Sequence, residues 1–275
     1  MKTPKNRFGA TLVAGLSHYS PHAHTPTFRP NGLNAWVLNL TIEGKGRINQ
    51  GTELFFAEAG DVLLFPPKLS HNYSWEPKKK HWVHLWMYFS PMPLWAPLLH
   101  WPQRDGGVLG FKLQDGETFK KVRKAMEKCL EMYQSPLKNR LQFCGNYLEE
   151  TLLWCDTQNP FSQGSGSDER IGGVVSFMMK HFADPLNADI LARQCHLSLS
   201  RFAHLFQETT GMSPLRYLES LRIWKAQELL IGTSKTIKEI GHEIGFQDPL
   251  YFSKVFRRNL QTSPRQFRKI SRQEA

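Results

Sequence analysis

The sequence predicts an α+β chain of two domains: a jelly-roll β-barrel backed by two helices, then an all-helical domain. Apolar and polar side chains alternate through residues 35–90 between Gly and Pro punctuation, the pattern of short strands. Residues 156–167 are polar, rich in Ser and Gly and free of hydrophobic periodicity, the pattern of a linker. Residues 168–272 repeat a helical pattern at a constant offset of 50. The expected organisation is therefore residues 1–155 (an arm at 1–11, a barrel at about 12–112, helices at about 116–155), a linker at 156–167, and a helical domain at 168–275.

Composition sets the class. The 275 residues are 40% hydrophobic and 21% charged, which suits folded domains rather than a disordered chain. Thirty-five Lys and Arg against 24 Asp and Glu leave +11, an excess that suits a polyanionic partner. Four cysteines without C-x-x-C or zinc spacing read as reduced thiols in a cytoplasmic protein. The start MKTPKNRF has no apolar core of a secretory signal, and the most apolar stretch, 82–101, is broken by His84, His100 and prolines, so no membrane partner is expected.

Each element follows in order. Trp36, Leu38, Leu40 and Ile42 alternate along a first strand, Gln50-Gly51 turns the chain, and 53–56 returns. Gly60-Asp61 precedes a strand at 62–65, which Pro66-Pro67 stops. In 82–89, Trp82, His84, Trp86 and Tyr88 share one face, and Val83, Leu85, Met87 and Phe89 share the other. Phe119, Val122, Met126, Cys129, Leu130 and Tyr133 mark one helix. Leu141, Cys144, Leu148, Leu152 and Cys155 mark a second, whose narrow stripe suits either packing on the barrel or a dimer seam through Leu141, Leu148 and Leu152.

In the helical half, Ile190, Phe202, Phe206, Ser213-Pro214 and Tyr217 match Ile240, Phe252, Phe256, Ser263-Pro264 and Phe267. Each copy reads as helix, turn, helix. The first spans about 189–209 with Ser198 as N-cap, and the second spans about 236–258 with Pro249 at the first helical position; a helix at 215–230 joins them. Two such units on one connector can enter adjacent segments of the major groove, about 34 Å apart. The groove-facing positions are Ser200, Ala203, His204 and Gln207 in the first copy and Gln247, Leu250, Tyr251 and Lys254 in the second. His242 joins this surface, and Arg201, Arg257 and Arg258 are read as phosphate contacts.

Gly245-Phe246, Tyr251-Phe252-Ser253-Lys254, Phe256-Arg257-Arg258 and Ser263-Pro264 followed by Phe267-Arg268 resemble the signature of the AraC family of transcription regulators. Gln261 stands where that family usually has Gly, a departure that touches the turn between helices. In the first half, 12–15, 38–42, 60–67 and 82–89 resemble the arabinose-responsive branch of the same family.

That resemblance implies a cupin-like barrel that holds L-arabinose, with no cofactor. A sugar pocket needs forked donors and acceptors for hydroxyls and a flat aromatic face for C–H groups, and the stripe through Trp86 beside Arg29 and Tyr73 can supply both. By similarity, Arg29, Tyr73, His84 and Trp86 stand at sugar-contacting positions, with His71 beside them. Phe8 closes over the sugar from an arm about seven residues shorter than in those relatives, and Ser17 replaces a Thr. The resemblance further implies a homodimer, double-stranded operator half-sites, RNA polymerase as partner, and a switch from DNA looping and repression to activation when sugar recruits the arm. A regulator tuned to another sugar is the nearest alternative. A cupin sugar isomerase or epimerase fused to a DNA-binding domain is the competing class. A metal is not expected, because His71-Asn72-Tyr73 lacks the second His of a metal-cupin pattern, and no catalytic constellation stands out.

Overall fold

A computed structural model describes residues 12–20, 26–79, 81–90, 92, 95–164, 169–260 and 262–273. These fall into two compact units. The first holds residues 12–90 and 101–164, and the second holds 169–273 with the segment Met92–His100. The expected barrel span of 12–112 included that segment. Ala96 instead packs in the same apolar cluster as Phe202 and Phe206.

The first unit has eight strands: β1 (Leu12–Tyr19), β2 (Thr27–Arg29), β3 (Trp36–Gln50), β4 (Glu53–Glu58), β5 (Asp61–Phe65), β6 (His71–Trp75), β7 (Trp82–Phe89) and β8 (Leu109–Lys112). One path runs β1-β7-β3-β5-β8, and the far end of β3 pairs with β4 and β6, which in turn pairs with β2. Strand β3 therefore belongs to both halves of the sheet, and a register shift between Thr41 and Glu43 lets it turn from one to the other. Tyr19, Leu63, Phe65 and Trp82 from the first half cluster with Ile48, Phe55, Ala57 and Tyr73 from the second, so the two inner faces close on each other.

This closure explains a difference from the alternating pattern. Val37, Leu38, Asn39, Leu40 and Thr41 are all buried, because the inner face of β3 lines the closed interior and its outer face is covered. A helix hairpin, α1 (Gly116–Gln134) and α2 (Arg140–Asp156), packs on the neighbouring strands β1 and β7. Asp115 caps α1 by accepting from the N–H groups of Glu117 and Thr118. Leu148 and Leu152 are 0% exposed within the single chain, packed with Cys144 and Cys155 on the side facing α1. Leu148 and Leu152, two residues of the expected dimer seam, are thus filled within the chain, whereas Leu141 is only half-buried. A stripe at three- and four-residue spacing looks the same for an intrachain hairpin as for a dimer, and here it is filled by its own chain. The exposed apolar side chains of this region are Leu137, Phe143 and Leu153. The expected linker is also shorter than its composition suggested, since α3 (Pro160–Gly164) forms inside it.

The second unit contains α4 (Glu169–His181), α5 (Ala188–Gln194), α6 (Leu199–Thr210), α7 (Pro214–Gly232), α8 (Ile237–Glu243), α9 (Pro249–Leu260) and α10 (Pro264–Gln273). Each short helix has its own cap. Asn187 starts α5, Ser198 starts α6, and Thr236 with Glu239 forms a reciprocal capping box on α8. Helix α7 is the spine. Tyr217, Leu218 and Leu221 enter the first cluster with Phe202 and Phe206, while Ile223, Ala226 and Leu230 enter the second with Phe252, Phe256 and Phe267. Gly245 adopts φ +87°, and a Cβ there would lie 2.5 Å from the Ala183 carbonyl oxygen, so only Gly fits this turn.

Candidate functional site

Strand register builds an aromatic chamber inside the first unit. Trp82, His84, Trp86 and Tyr88 of β7 stand opposite Tyr19, Ser17, Gly15 and Val13 of β1, and opposite Gly44, Thr41, Asn39 and Val37 of β3. His84 is 1% exposed and clusters with Trp82, at 4.1 Å between ring centroids, and Tyr19, at 5.6 Å, two rings that also stack on each other. Trp86 stacks on Tyr88 at 4.6 Å. Its ring crosses β1 where there is no side chain: a Cβ on Gly15 would fall 2.1 Å from the indole. The indole N–H of Trp86 donates to the Ser17 hydroxyl at 2.9 Å, and that of Trp82 donates to Thr41 at 3.2 Å.

Arg29 supplies the charge. The pairing of β2 with β6 sets Arg29 opposite His71 and Thr27 opposite Tyr73. Arg29 donates through Nη1 to His71 Nδ1 at 3.3 Å and sits 5.6 Å above the Tyr88 ring. Its charge also acts on the nearby Tyr73 and Tyr88 phenols. Burial, with the Arg29 charge beside it, pushes His71 down to about 4, so its ring is neutral near pH 7. Burial likewise holds the Tyr73 and Tyr88 phenols above their usual range, so both keep their protons. The chamber wall is thus one fixed cation among neutral donors, acceptors and ring faces. Such a wall suits a neutral polyhydroxylated ligand better than a second cation.

Ser17, Arg29, His71, Tyr73, His84 and Trp86 all face this interior, and Phe8 lies outside the described residues. Sequence reading missed Asn39, Thr41 and Tyr19. Asn39 carried a signal, a lone amide in the middle of the apolar run WVLNL, at the position paired with Trp86. Among the described residues, no three His, Cys, Asp or Glu side chains are grouped to hold a metal ion. No helix among them is long and apolar enough to cross a membrane.

The second candidate surface lies on α6 and α9. Burying Phe202, Phe206 and Thr210 turns Ser200, Arg201, His204 and Gln207 to solvent, with Ala203 half-buried at the edge. Burying Phe252, Val255 and Phe256 likewise exposes Leu250, Tyr251, Lys254, Arg257 and Arg258, and Gln247 and His242 are exposed nearby. Leu250 is 80% exposed, an unusual state for a large aliphatic side chain. Two of the expected contacts are already engaged within the chain. Arg258 donates twice to the Glu219 carboxylate, at 2.5 and 2.6 Å, and His204 Nδ1 lies 3.2 Å from Glu208. Arg258 thus ties α9 to α7, while its side chain stays 62% exposed.

Comparison with known proteins supplies the context. The AraC-like ligand binding domain matches residues 13–142, and a helix-turn-helix domain matches residues 191–270. The chain is 35% identical to the arabinose operon regulatory protein of Salmonella typhimurium over 269 residues, covering 96% of this chain and 95% of that protein. It is 35% identical to the arabinose operon regulatory protein of Escherichia coli, covering 96% and 91%. Similarity to the Escherichia coli transcriptional activator RhaS is 37% over 102 residues, 37% of each chain.

Proposed function

This chain belongs to the AraC family of ligand-responsive, DNA-binding transcription regulators, and we propose that its barrel senses L-arabinose. The observation that carries this reading is the chamber in which the Arg29 fork, His71 and Tyr73 share one interior with the Trp86 indole. A pyranose requires that combination: hydroxyls on its rim and a C–H face that packs on an aromatic ring. Near-full-length similarity to two proteins named for the arabinose operon supports the same effector.

In this reading the chain is a regulator, not an enzyme. It works as a homodimer in the cytoplasm and reads operator half-sites through Ser200, Ala203, His204, Gln207, His242, Gln247, Leu250, Tyr251 and Lys254, with Arg201, Arg257 and Arg258 on phosphates. Arm residues 1–11, including Phe8, fold over bound sugar. The switch changes the dimer from looped, distant half-sites to adjacent half-sites beside a promoter, where it engages RNA polymerase. Sugar must bind the activating state more tightly than the other, or it shifts nothing. Dimer contacts fall to the exposed Leu137, Phe143 and Leu153 rather than to the buried stripe.

A second reading, a different sugar, is favoured by Ser17. Its hydroxyl already accepts from Trp86 and it lacks the methyl of the Thr it replaces, which leaves room at that wall. Titration calorimetry of the full chain against L-arabinose, D-fucose, D-xylose and L-rhamnose tests both. Saturable binding of L-arabinose, weakened at least tenfold in Trp86→Ala, is expected. Binding of another sugar alone moves the effector, and silence across the panel removes the sugar reading.

A further inference from the structure

One side chain in the chamber has unspent hydrogen-bonding capacity on both of its polar atoms. Asn39 lies on the inner face of β3 between Val37 and Thr41, paired with Trp86 on one side and Leu63 on the other. It is 1% exposed, and among the described residues neither Oδ1 nor Nδ2 has a hydrogen-bond partner. Its neighbours are committed elsewhere: Thr41 and Ser17 accept from the two indoles, Tyr19 bonds Thr27, and His71 Nδ1 accepts from Arg29. His71 Nε2 on this wall is also buried and has no hydrogen-bond partner among the described residues. A buried amide without partners is unfavourable to the empty fold, and such groups are uncommon in folded proteins. Shape does not explain it, since an aliphatic residue would fill the same position among Val37, Leu63 and Phe65 without that cost.

We propose that Asn39 is a ligand-contacting residue, whose amide holds two neighbouring hydroxyls of the sugar seated against Trp86. This rests on the sugar reading above and adds a specificity determinant to it. An amide presents one acceptor and one donor side by side. One hydroxyl of a vicinal diol donates to Oδ1 while the other accepts from Nδ2. The indole of Trp86 takes the C–H face, and Asn39, paired with it across the strands, takes the rim. Arg29, His71 and Tyr73 approach from β2 and β6, the other part of the sheet. A ligand missing either hydroxyl leaves the amide buried and unpaired again, which makes the contact a discriminating one.

The test uses the full chain, calorimetry, and the monodeoxy analogues of whichever panel sugar binds the wild type. Two analogues lacking adjacent hydroxyls are expected to bind the wild type at least tenfold more weakly than the parent sugar. Asn39→Leu is expected to bind the parent at least tenfold more weakly and to treat those two analogues and the parent alike. Asn39→Ala, which adds no volume, is expected to do the same. Without ligand, Asn39→Leu is expected to melt no lower than the wild type, because it removes an amide that has no partner. Wild-type affinity and an unchanged analogue pattern in both variants overturn the role of Asn39 and leave the sugar reading intact. A drop in melting temperature in both variants shows that the amide serves the fold, and also overturns it. Failure of the wild type to bind any panel sugar removes the sugar reading and this proposal together.

Discussion

The two helix-turn-helix copies share a core and differ at the surface. In the first, Phe202 meets Phe206 at 5.5 Å and Phe206 meets Tyr217 at 5.6 Å. In the second, Phe252 meets Phe256 at 5.8 Å and Phe256 meets Phe267 at 5.5 Å. All four contacts are edge-to-face, and all six rings are at most 2% exposed. Outside, the copies diverge. The first shows Ser200, His204 and Gln207, with Glu208 beside His204, whereas the second shows Leu250, Tyr251, Lys254 and Arg257. Packing constrains the buried face of each unit, and the exposed face is free to specify different things. The sharpest test of the shared core is Phe206→Ala against Phe256→Ala. Each should cost about 3–5 kcal/mol in urea unfolding of the full chain followed by helicity. Costs that differ by more than about 1 kcal/mol would show that the two cores are not equivalent.

The surfaces should separate in DNA binding. Gln207 can read an adenine edge, and Leu250 can pack on a thymine methyl, so each alanine variant should lose about 1–3 kcal/mol on its own half of the site and little on the other. Arg257→Ala should behave differently from both. It should weaken binding to every sequence and reduce the salt dependence by about one counterion, because a phosphate carries no sequence. Gel-shift titrations at several salt concentrations, with substitutions in one half-site at a time, read all three. Equal losses from Gln207→Ala across both halves would break the assignment of one copy to one segment.

The same contrast explains what was legible in the sequence. The offset of 50 exposed the repeated aromatic core directly, since Phe202 and Phe252 must recur for each unit to close. The barrel was legible as a class through the alternation in 82–89 and the Gly and Pro turns. The short strands β2 and β8 were not, because three or four residues carry no period. The partner of the Leu148 and Leu152 stripe was also hidden, because helical spacing records that a face is buried and not what buries it. In the chamber, Trp86 and Arg29 were visible as residue types suited to a sugar. Asn39 was hidden because its meaning depends on register with Trp86 and on the absence of a partner, both properties of the folded chain. The state of Arg258 was hidden for the same reason, as Glu219 lies 39 residues away.

The smallest expected effect tests a polar atom that distinguishes the two cores. Tyr217 and Phe267 occupy equivalent positions, and Tyr217 adds a hydroxyl that is buried without a hydrogen-bond partner. Burial also raises that phenol to about 12, so it stays protonated and offers both a donor and an acceptor that nothing uses. Tyr217→Phe removes the group and keeps the ring against Phe206, so stability should rise by about 1 kcal/mol. The reverse change, Phe267→Tyr, places a hydroxyl in the second core and should lower stability by a similar amount. Chemical denaturation of both single variants and the double variant decides the matter. If Tyr217→Phe is destabilising, the hydroxyl has a role in the first copy that the second lacks, and the cores differ in kind. If the two changes offset each other in the double variant, the copies are interchangeable at this position, and the difference between them lies on the exposed faces of α6 and α9.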